Sequence, residues 1–275
     1  TAGVESTRQR LESDTVYNAS ARELNSARVG YQGDFGPHQL QLNARHDRYS
    51  DFGDASTWLA AYAFSLTDTW RISASASTGF NAPTFNDLYY PFGGNARLRP
   101  EQVTSRELGL QYARGTVEAR ATWFSNRFTD LIGSDPFFTR ININQARNEG
   151  LELTYRATYG ATGVQAGATF QDPQDLTTNK RLDRRANVIA NLGLTHDVGA
   201  WSPGVNLRYS GARSDATRTL DAYTVVDLKV TYAVSPTVKV LGRVDNLLDA
   251  RYETVYGYHQ QGVGLFVGVN WQPKL

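Results

Sequence analysis

The stretch VDLKVTYAVSPTVKVLGRVD, residues 226–245, carries two arms of alternating side chains about a turn at Ser235-Pro236. In the first arm Val226, Leu228, Val230 and Tyr232 are separated by Asp227, Lys229 and Thr231; in the second, Lys239 and Arg243 fall on the face opposite Val238, Val240 and Val244. Successive side chains of a strand point to opposite faces, so each arm has one apolar and one polar face. The pair predicts an antiparallel β-hairpin.

The same period recurs along the chain. Leu40, Leu42 and Ala44 alternate with Gln39, Gln41, Asn43 and Arg45, and Val117, Ala119, Ala121 and Trp123 lie opposite Glu118, Arg120 and Thr122. Leu151, Leu153, Tyr155 and Ala157 lie opposite Glu152, Thr154 and Arg156; Val164, Ala166, Ala168 and Phe170, and then Val205, Leu207 and Tyr209, repeat the pattern. About fourteen strands are predicted, near residues 1–10, 22–32, 38–48, 56–66, 70–79, 103–112, 117–125, 149–159, 163–171, 185–198, 203–211, 222–232, 237–245 and 262–271. Helical periodicity is nowhere sustained.

Short connections around Gly33–Pro37, Thr67–Thr69, Ala113–Gly115, Gly160–Thr162, Gly199–Ser202 and Ala233–Pro236 are expected to alternate strictly with longer ones such as 80–102, 126–148, 172–184 and 246–261. In an up-and-down meander the short turns then share one end. Beside them stand Trp70, Tyr112, Tyr159, Trp201, Tyr232 and Trp271, amphipathic rings of the kind that a membrane–water interface favours. A soluble sandwich would show the same alternation in any single strand. The number of segments, their length of roughly ten residues and the row of rings favour a transmembrane antiparallel β-barrel, read as one domain over residues 1–275, with the apolar face toward lipid and the charged face toward a wet lumen.

Composition excludes several alternatives. Lys plus Arg total 28 against 27 for Asp plus Glu, so a nucleic-acid partner is not expected. Cysteine is absent and the four histidines (His38, His46, His196, His259) are scattered, which leaves no thiolate or ligand-spaced metal motif. The longest apolar run, Trp58–Phe64, is seven residues, far short of the roughly 20 that a membrane helix needs. Glu118, Glu152, Asp227, Lys229, Lys239 and Arg243 fall on lumen positions, the ordinary wall of a wet barrel, and neither Ser77 nor Ser210 has a histidine near it in sequence. No enzymatic role is expected.

The chain contains no methionine, so Thr1 is not read as a translation start; the chain is expected to be processed or a piece. A lipid-exposed sheet cannot leave an unpaired edge. Either the fourteen strands close on themselves or further strands pair with them.

Longer motifs add a resemblance. STGFNAPTFNDLYYPFGGNARLRPEQVTSRELGLQY (77–112), NEGLELTYRA (148–157) and RVDNLLDARYETVYGY (243–258) resemble the long-loop and C-terminal signatures of TonB-dependent outer-membrane receptors. LDRRANV (182–188) with YETVYGYHQQG (252–262) is most similar to the vitamin B12 receptors within that family. The resemblance implies the C-terminal part of a plugged barrel of about 22 strands in the outer membrane of a Gram-negative bacterium. The N-terminal plug, the TonB contact and the first strands would lie outside this chain, together with any calcium-holding loops; no other cofactor is implied. Two departures stand out: Gly262-Val263 replaces the family's usual Gly-Arg, and Gln272-Pro273-Lys274-Leu275 follows Trp271 where the family usually ends on an aromatic residue.

The function so implied is uptake of a large scarce solute, cobalamin before a siderophore, with lipid and lipopolysaccharide around the barrel; a passive channel of fourteen strands is the alternative from another class. Tyr256, Tyr258 and His259, with Gln260, lie in the last long connection, and the resemblance implies that Tyr258 and Arg184 face the corrinoid. Tyr89, Tyr90, Phe92 and Asn95, at the tip of the 80–102 connection, are either solute contacts or loop packing. Pro100-Glu101 is expected to end that loop, and Asn246 and Asp249 to cap a turn through side-chain to backbone hydrogen bonds.

Overall fold

The computed structural model describes residues 1–142 and 145–273. Residues 143–144, inside the connection predicted at 126–148, and residues 274–275, the end of the tail after Trp271, lie outside the described residues.

The alternating segments form strands: β1 (Ala2–Arg10), β2 (Ala21–Phe35), β3 (His38–Tyr49), β4 (Gly53–Ser65), β5 (Trp70–Asn81), β6 (Glu101–Arg114), β7 (Val117–Thr129), β8 (Ala146–Tyr159), β9 (Thr162–Asp175), β10 (Val188–His196), β11 (Trp201–Ser210), β12 (Tyr223–Ser235), β13 (Val238–Asp245) and β14 (Gly264–Trp271). They follow one another in chain order in a single sheet, with Lys180–Arg181 added to β9. Pairing is antiparallel from β1 to β5 and from β9 to β14. The order ends at β1 and β14, with no pairing between those two strands among the described residues. By contacts the chain divides into two compact units, one of Thr1–Gly109, Phe124–Glu149 and Gln174–Lys180, the other of Leu110–Trp123, Gly150–Pro173 and Arg181 onward.

Register turns the sequence pattern into faces. On β11 and β12, Trp201 stands opposite Tyr232, Val205 opposite Leu228 and Leu207 opposite Val226. The same face continues as Leu228 opposite Val244 and Tyr232 opposite Val240, then Val244 opposite Leu265 and Val240 opposite Val269. That band carries no charge. The other face pairs Asn206 with Asp227, Lys229 with Arg243 and Lys239 with Asn270, and Arg208 reaches Asp227 at 3.1 Å. Leu42, Leu110, Leu228 and Val267 are exposed on strands, whereas Leu88, Leu98 and Leu220 are buried in the connections. In water such a distribution would leave apolar rows uncovered; against hydrocarbon it is favourable. Trp70, Tyr159, Trp201, Tyr232 and Trp271 are exposed beside the short connections, as the girdle reading expects, whereas Tyr112, the sixth ring of that row, is half-buried.

Two expectations need correction. The strands run further into the short turns than predicted: Phe35 still pairs with His38, and β8 and β9 leave only Gly160-Ala161 between them. Gly160, at φ 57, takes the left-handed conformation that so tight a turn demands. Short and long connections do not alternate strictly. Between β3 and β4 only Ser50–Phe52 intervene, because pairing continues to Tyr49 and Gly53, and Gly53 enters the strand at φ 101. Beyond the expectations, the long connections have structure of their own: a one-turn helix α1 (Phe85–Tyr89) and hairpins Ile132–Ser134/Arg140–Asn142, Arg213–Asp215/Arg218–Leu220 and Glu253–Val255/Tyr258–His259. Segments of two to five residues are too short to show a period.

Candidate functional site

The predicted site residues fall into two loop groups, one in each compact unit. In the first unit, α1 begins at Thr84, whose hydroxyl accepts from the Asp87 N–H at 3.2 Å while the Asp87 carboxylate accepts from the Thr84 N–H at 2.9 Å. This reciprocal cap satisfies the donors of a helix too short to be stable alone. Leu88 and Leu98 bury beneath it. The hairpin at residues 132–142 is joined to this loop: Arg140 pairs with Asp87 at 3.2 Å, the Arg140 N–H donates to the Gly93 carbonyl at 2.8 Å, and the Asn95 side-chain amide donates to the Arg140 carbonyl at 2.8 Å.

Asn95 also accepts from the Arg97 N–H at 3.0 Å, so its side chain is a bracket between two loops. Tyr89 is half-buried beside Asp51; burial first, then that carboxylate, raises its phenol above the ordinary value. Tyr90 packs between Tyr17 and Phe92, with ring centroids 5.7 and 5.6 Å away. Glu101 ends the loop as expected, accepting from Asn81 and from the Ile132 N–H. Sequence reasoning missed Phe137 and Phe138, which stand exposed with Phe92; one apolar pair between turn residues gives no periodic signal.

In the second unit, three connections meet. Arg184 sits at φ 61; its N–H donates to the Ser214 carbonyl at 2.7 Å and its Nε to Asp215 Oδ1 at 2.8 Å. The other carboxylate oxygen, Oδ2, accepts from the Tyr256 N–H at 2.8 Å. Asp215 is itself only 5% exposed. The Tyr256 N–H, with the Arg184 guanidinium second, holds its carboxyl below the usual carboxylate range. Next to it Arg213, also buried, donates to the Glu253 carbonyl at 2.6 Å and lies 5.4 Å over the Tyr223 ring. Tyr223 in turn stacks on Tyr252 at 4.1 Å. Arg218, opposite Asp215 in its hairpin, lies 5.0 Å over the ring of Tyr256.

The last connection is built from its own polar groups. Asn246, at φ 50, accepts from the Ala250 N–H at 2.9 Å and donates to the carbonyls of Ala250 and Gln261 at 3.0 and 3.2 Å, while Asp249 accepts from the Val263 N–H at 3.3 Å. Asn246 caps its turn as expected, whereas the Asp249 side chain does not cap the turn but ties it to Val263, fourteen residues on. Glu253 takes the His259 ring at 3.1 Å and the Gly257 N–H at 3.0 Å. The structure thus brings together Arg184 and Tyr256 through Asp215, and leaves the rings of Tyr256 and Tyr258 exposed. Asp215, Arg213 and Arg218 were missed, because their partners lie far away in sequence. No group of His, Asp and Glu suited to a metal ion occurs among the described residues.

A fourteen-strand meander with an apolar face, a charged opposite face and structured long connections has the strand pattern of an outer-membrane barrel. Residues 7–247 match the family model of the TonB dependent receptor-like β-barrel. The chain belongs to that family, whose barrels are outer-membrane proteins and not enzymes. It is 32% identical over 234 residues to the vitamin B12 transporter BtuB of Photobacterium profundum, covering 81% of this chain and 39% of that protein. It is 30% identical over 275 residues to BtuB of Vibrio vulnificus, covering 97% and 44%. The chain therefore spans about two fifths of the length of these relatives. A variant of the ferric enterobactin receptor PfeA of Pseudomonas aeruginosa superposes with a TM-score of 0.83 at 17% identity, over 98% of this chain and 50% of that one.

Proposed function

We propose that the chain supplies part of the barrel of an outer-membrane transporter that takes up a corrinoid, driven through TonB contacts made by a plug elsewhere in the whole protein. The observation that carries this reading is the identity of 30 to 32% to proteins named vitamin B12 transporters. The likeness to PfeA, at 17% identity, concerns the fold alone and does not favour a siderophore. A passive channel of these fourteen strands is disfavoured because the sheet ends in two edges, which lipid does not tolerate. On this reading the long connections face outward, and lipid, with lipopolysaccharide outside, covers the apolar band.

The chemistry of the second loop group suits a corrinoid. Tyr258 and Tyr256 offer ring faces to the apolar side groups of a macrocycle, and hydroxyls to its peripheral amides. The guanidinium of Arg184, 55% exposed although tied to Asp215, offers further donors to amide carbonyls or to the nucleotide phosphate. His259, exposed and paired with Glu253, lies in the same connection as Tyr256 and Tyr258. Titrating cyanocobalamin and a ferric siderophore against the full-length protein tests the reading. Cyanocobalamin should bind, and Tyr258→Ala should weaken it by roughly 1 to 3 kcal/mol. Binding of the siderophore alone would remove the corrinoid and keep the receptor.

A further inference from the structure

We propose that Asp215 is the positioning residue of the solute-facing surface: by accepting from Arg184 and from the Tyr256 backbone at once, it holds Arg184, Tyr256 and Tyr258 as one rigid unit. The proposal deepens the function above and rests on it for the identity of the solute. At 5% exposure Asp215 does not itself present a surface to a solute, whereas the residues it holds do. Its two oxygens serve two different connections, Oδ1 taking the Arg184 Nε and Oδ2 the Tyr256 N–H, each at 2.8 Å. A third connection carries Asp215 itself, on the hairpin Arg213–Asp215/Arg218–Leu220. One side chain therefore ties three connections that are separated by 31 and 41 residues in sequence.

The charge balance gives this tie its weight. Two guanidiniums act on the Asp215 carboxylate, Arg184 by pairing with it and Arg213 through its charge, while its cross-strand neighbour Arg218 lies over the Tyr256 ring. Glu253, in the last connection, is occupied by His259 and the Gly257 N–H. With Asp215 neutralised, Arg184 loses its ion-pair partner and the buried Arg213 loses the negative charge beside it. Asparagine does not substitute, because its amide nitrogen would oppose either the Arg184 Nε–H or the Tyr256 N–H, donor against donor. The neighbouring contacts of the hairpin, Arg213 on the Glu253 carbonyl and Arg218 over Tyr256, join it to the same last connection.

The test uses the full-length protein in detergent, with Asp215→Asn, Arg184→Gln and the double variant, each titrated with cyanocobalamin and each digested with trypsin without solute. Asp215→Asn should weaken binding about tenfold or more, and the double variant should be less than about twofold weaker than Asp215→Asn alone. Trypsin should cut faster after Arg218 and Arg251 in Asp215→Asn, while heat-dependent gel migration shows the barrel intact. Wild-type affinity of Asp215→Asn, or losses that add in the double variant, would overturn the proposal. Should the wild-type protein not bind cyanocobalamin, the corrinoid reading falls by itself. The digestion then decides the positioning role, faster cutting supporting it and unchanged cutting overturning it.

Discussion

Arg22 Nη1 donates to the carbonyl oxygen of Pro83 at 2.7 Å across 61 positions of sequence, and this bond fixes the long connection after β5. The same guanidinium donates to Gln9 at 2.6 Å and lies within 5.3, 5.7 and 5.1 Å of the rings of Tyr49, Phe52 and Phe85. Arg22 is buried, in a strand whose alternate residues Leu24 and Ser26 are buried as well. The connection that carries Tyr89 and Tyr90 is thereby pinned to a strand face instead of being a free flap.

Replacement of Arg22 should consequently be costly even when charge is kept. Lysine has no planar fork to serve two acceptors while stacking on three rings. Arg22→Lys should destabilise the full-length protein by about 2 kcal/mol, and Arg22→Ala by more, since it also leaves the Pro83 carbonyl unpaired. Chemical unfolding in lipid vesicles measures both. A lysine variant as stable as wild type would show that charge alone suffices.

The Asp215 tie should be lost in acid. Its folded-state pKa lies below the ordinary value, so the carboxylate's contribution is complete above the unfolded carboxyl pKa of about 3.9 and disappears as pH falls through the folded value. Amide hydrogen exchange at Tyr256, compared with Asp215→Asn at each pH, reports it. Protection should exceed that of the variant at pH 5 and converge with it in stronger acid. Identical exchange in the two proteins at neutral pH would refute the tie.

The two faces of β12 should respond oppositely to charge. Val230 lies in the apolar band, opposite Gly242, and Val230→Arg should cost about 2 to 4 kcal/mol in a bilayer. Thr231, one residue on and on the other face, should accept arginine with little effect. Equal costs, measured by folding into vesicles, would reverse the face assignment.

Orientation is open to direct labelling, because this chain has no cysteine of its own. Thr217→Cys, in the hairpin of a long connection, should react with a membrane-impermeant maleimide on intact cells. Ala200→Cys, in a short turn beside Trp201, should react only after the outer membrane is permeabilised. The reverse result would invert the barrel.

Much of the fold was legible because its cause is local. A strand with lipid on one side and water on the other must alternate residue by residue, so Val226 to Tyr232 announces its own face assignment. Girdle rings such as Trp201 and Tyr232 mark the short-turn end for the same reason, each answering to the interface at its own position. The capping role of Asn246 was equally readable, since its partner Ala250 lies four residues on; the tie of Asp249 to Val263, fourteen residues on, was not. The short link at Ser50–Phe52 was not, because where pairing stops depends on how far β3 and β4 keep register, not on either strand alone.

The candidate site divides along the same line. From sequence came the aromatic last connection, the exposed Tyr258 and the choice of Arg184. From tertiary structure came what these residues do to one another: Asn95 bracing Arg140 across 45 positions, and Arg184 and Tyr256 meeting on Asp215 across 31 and 41. The sequence by itself determined the strands, their faces and the end at which long connections gather, because the two solvents act on each residue separately. Only the tertiary structure decided which loop charges are buried and paired, because a buried carboxylate is stable only where distant donors converge on it, and no local pattern records that convergence.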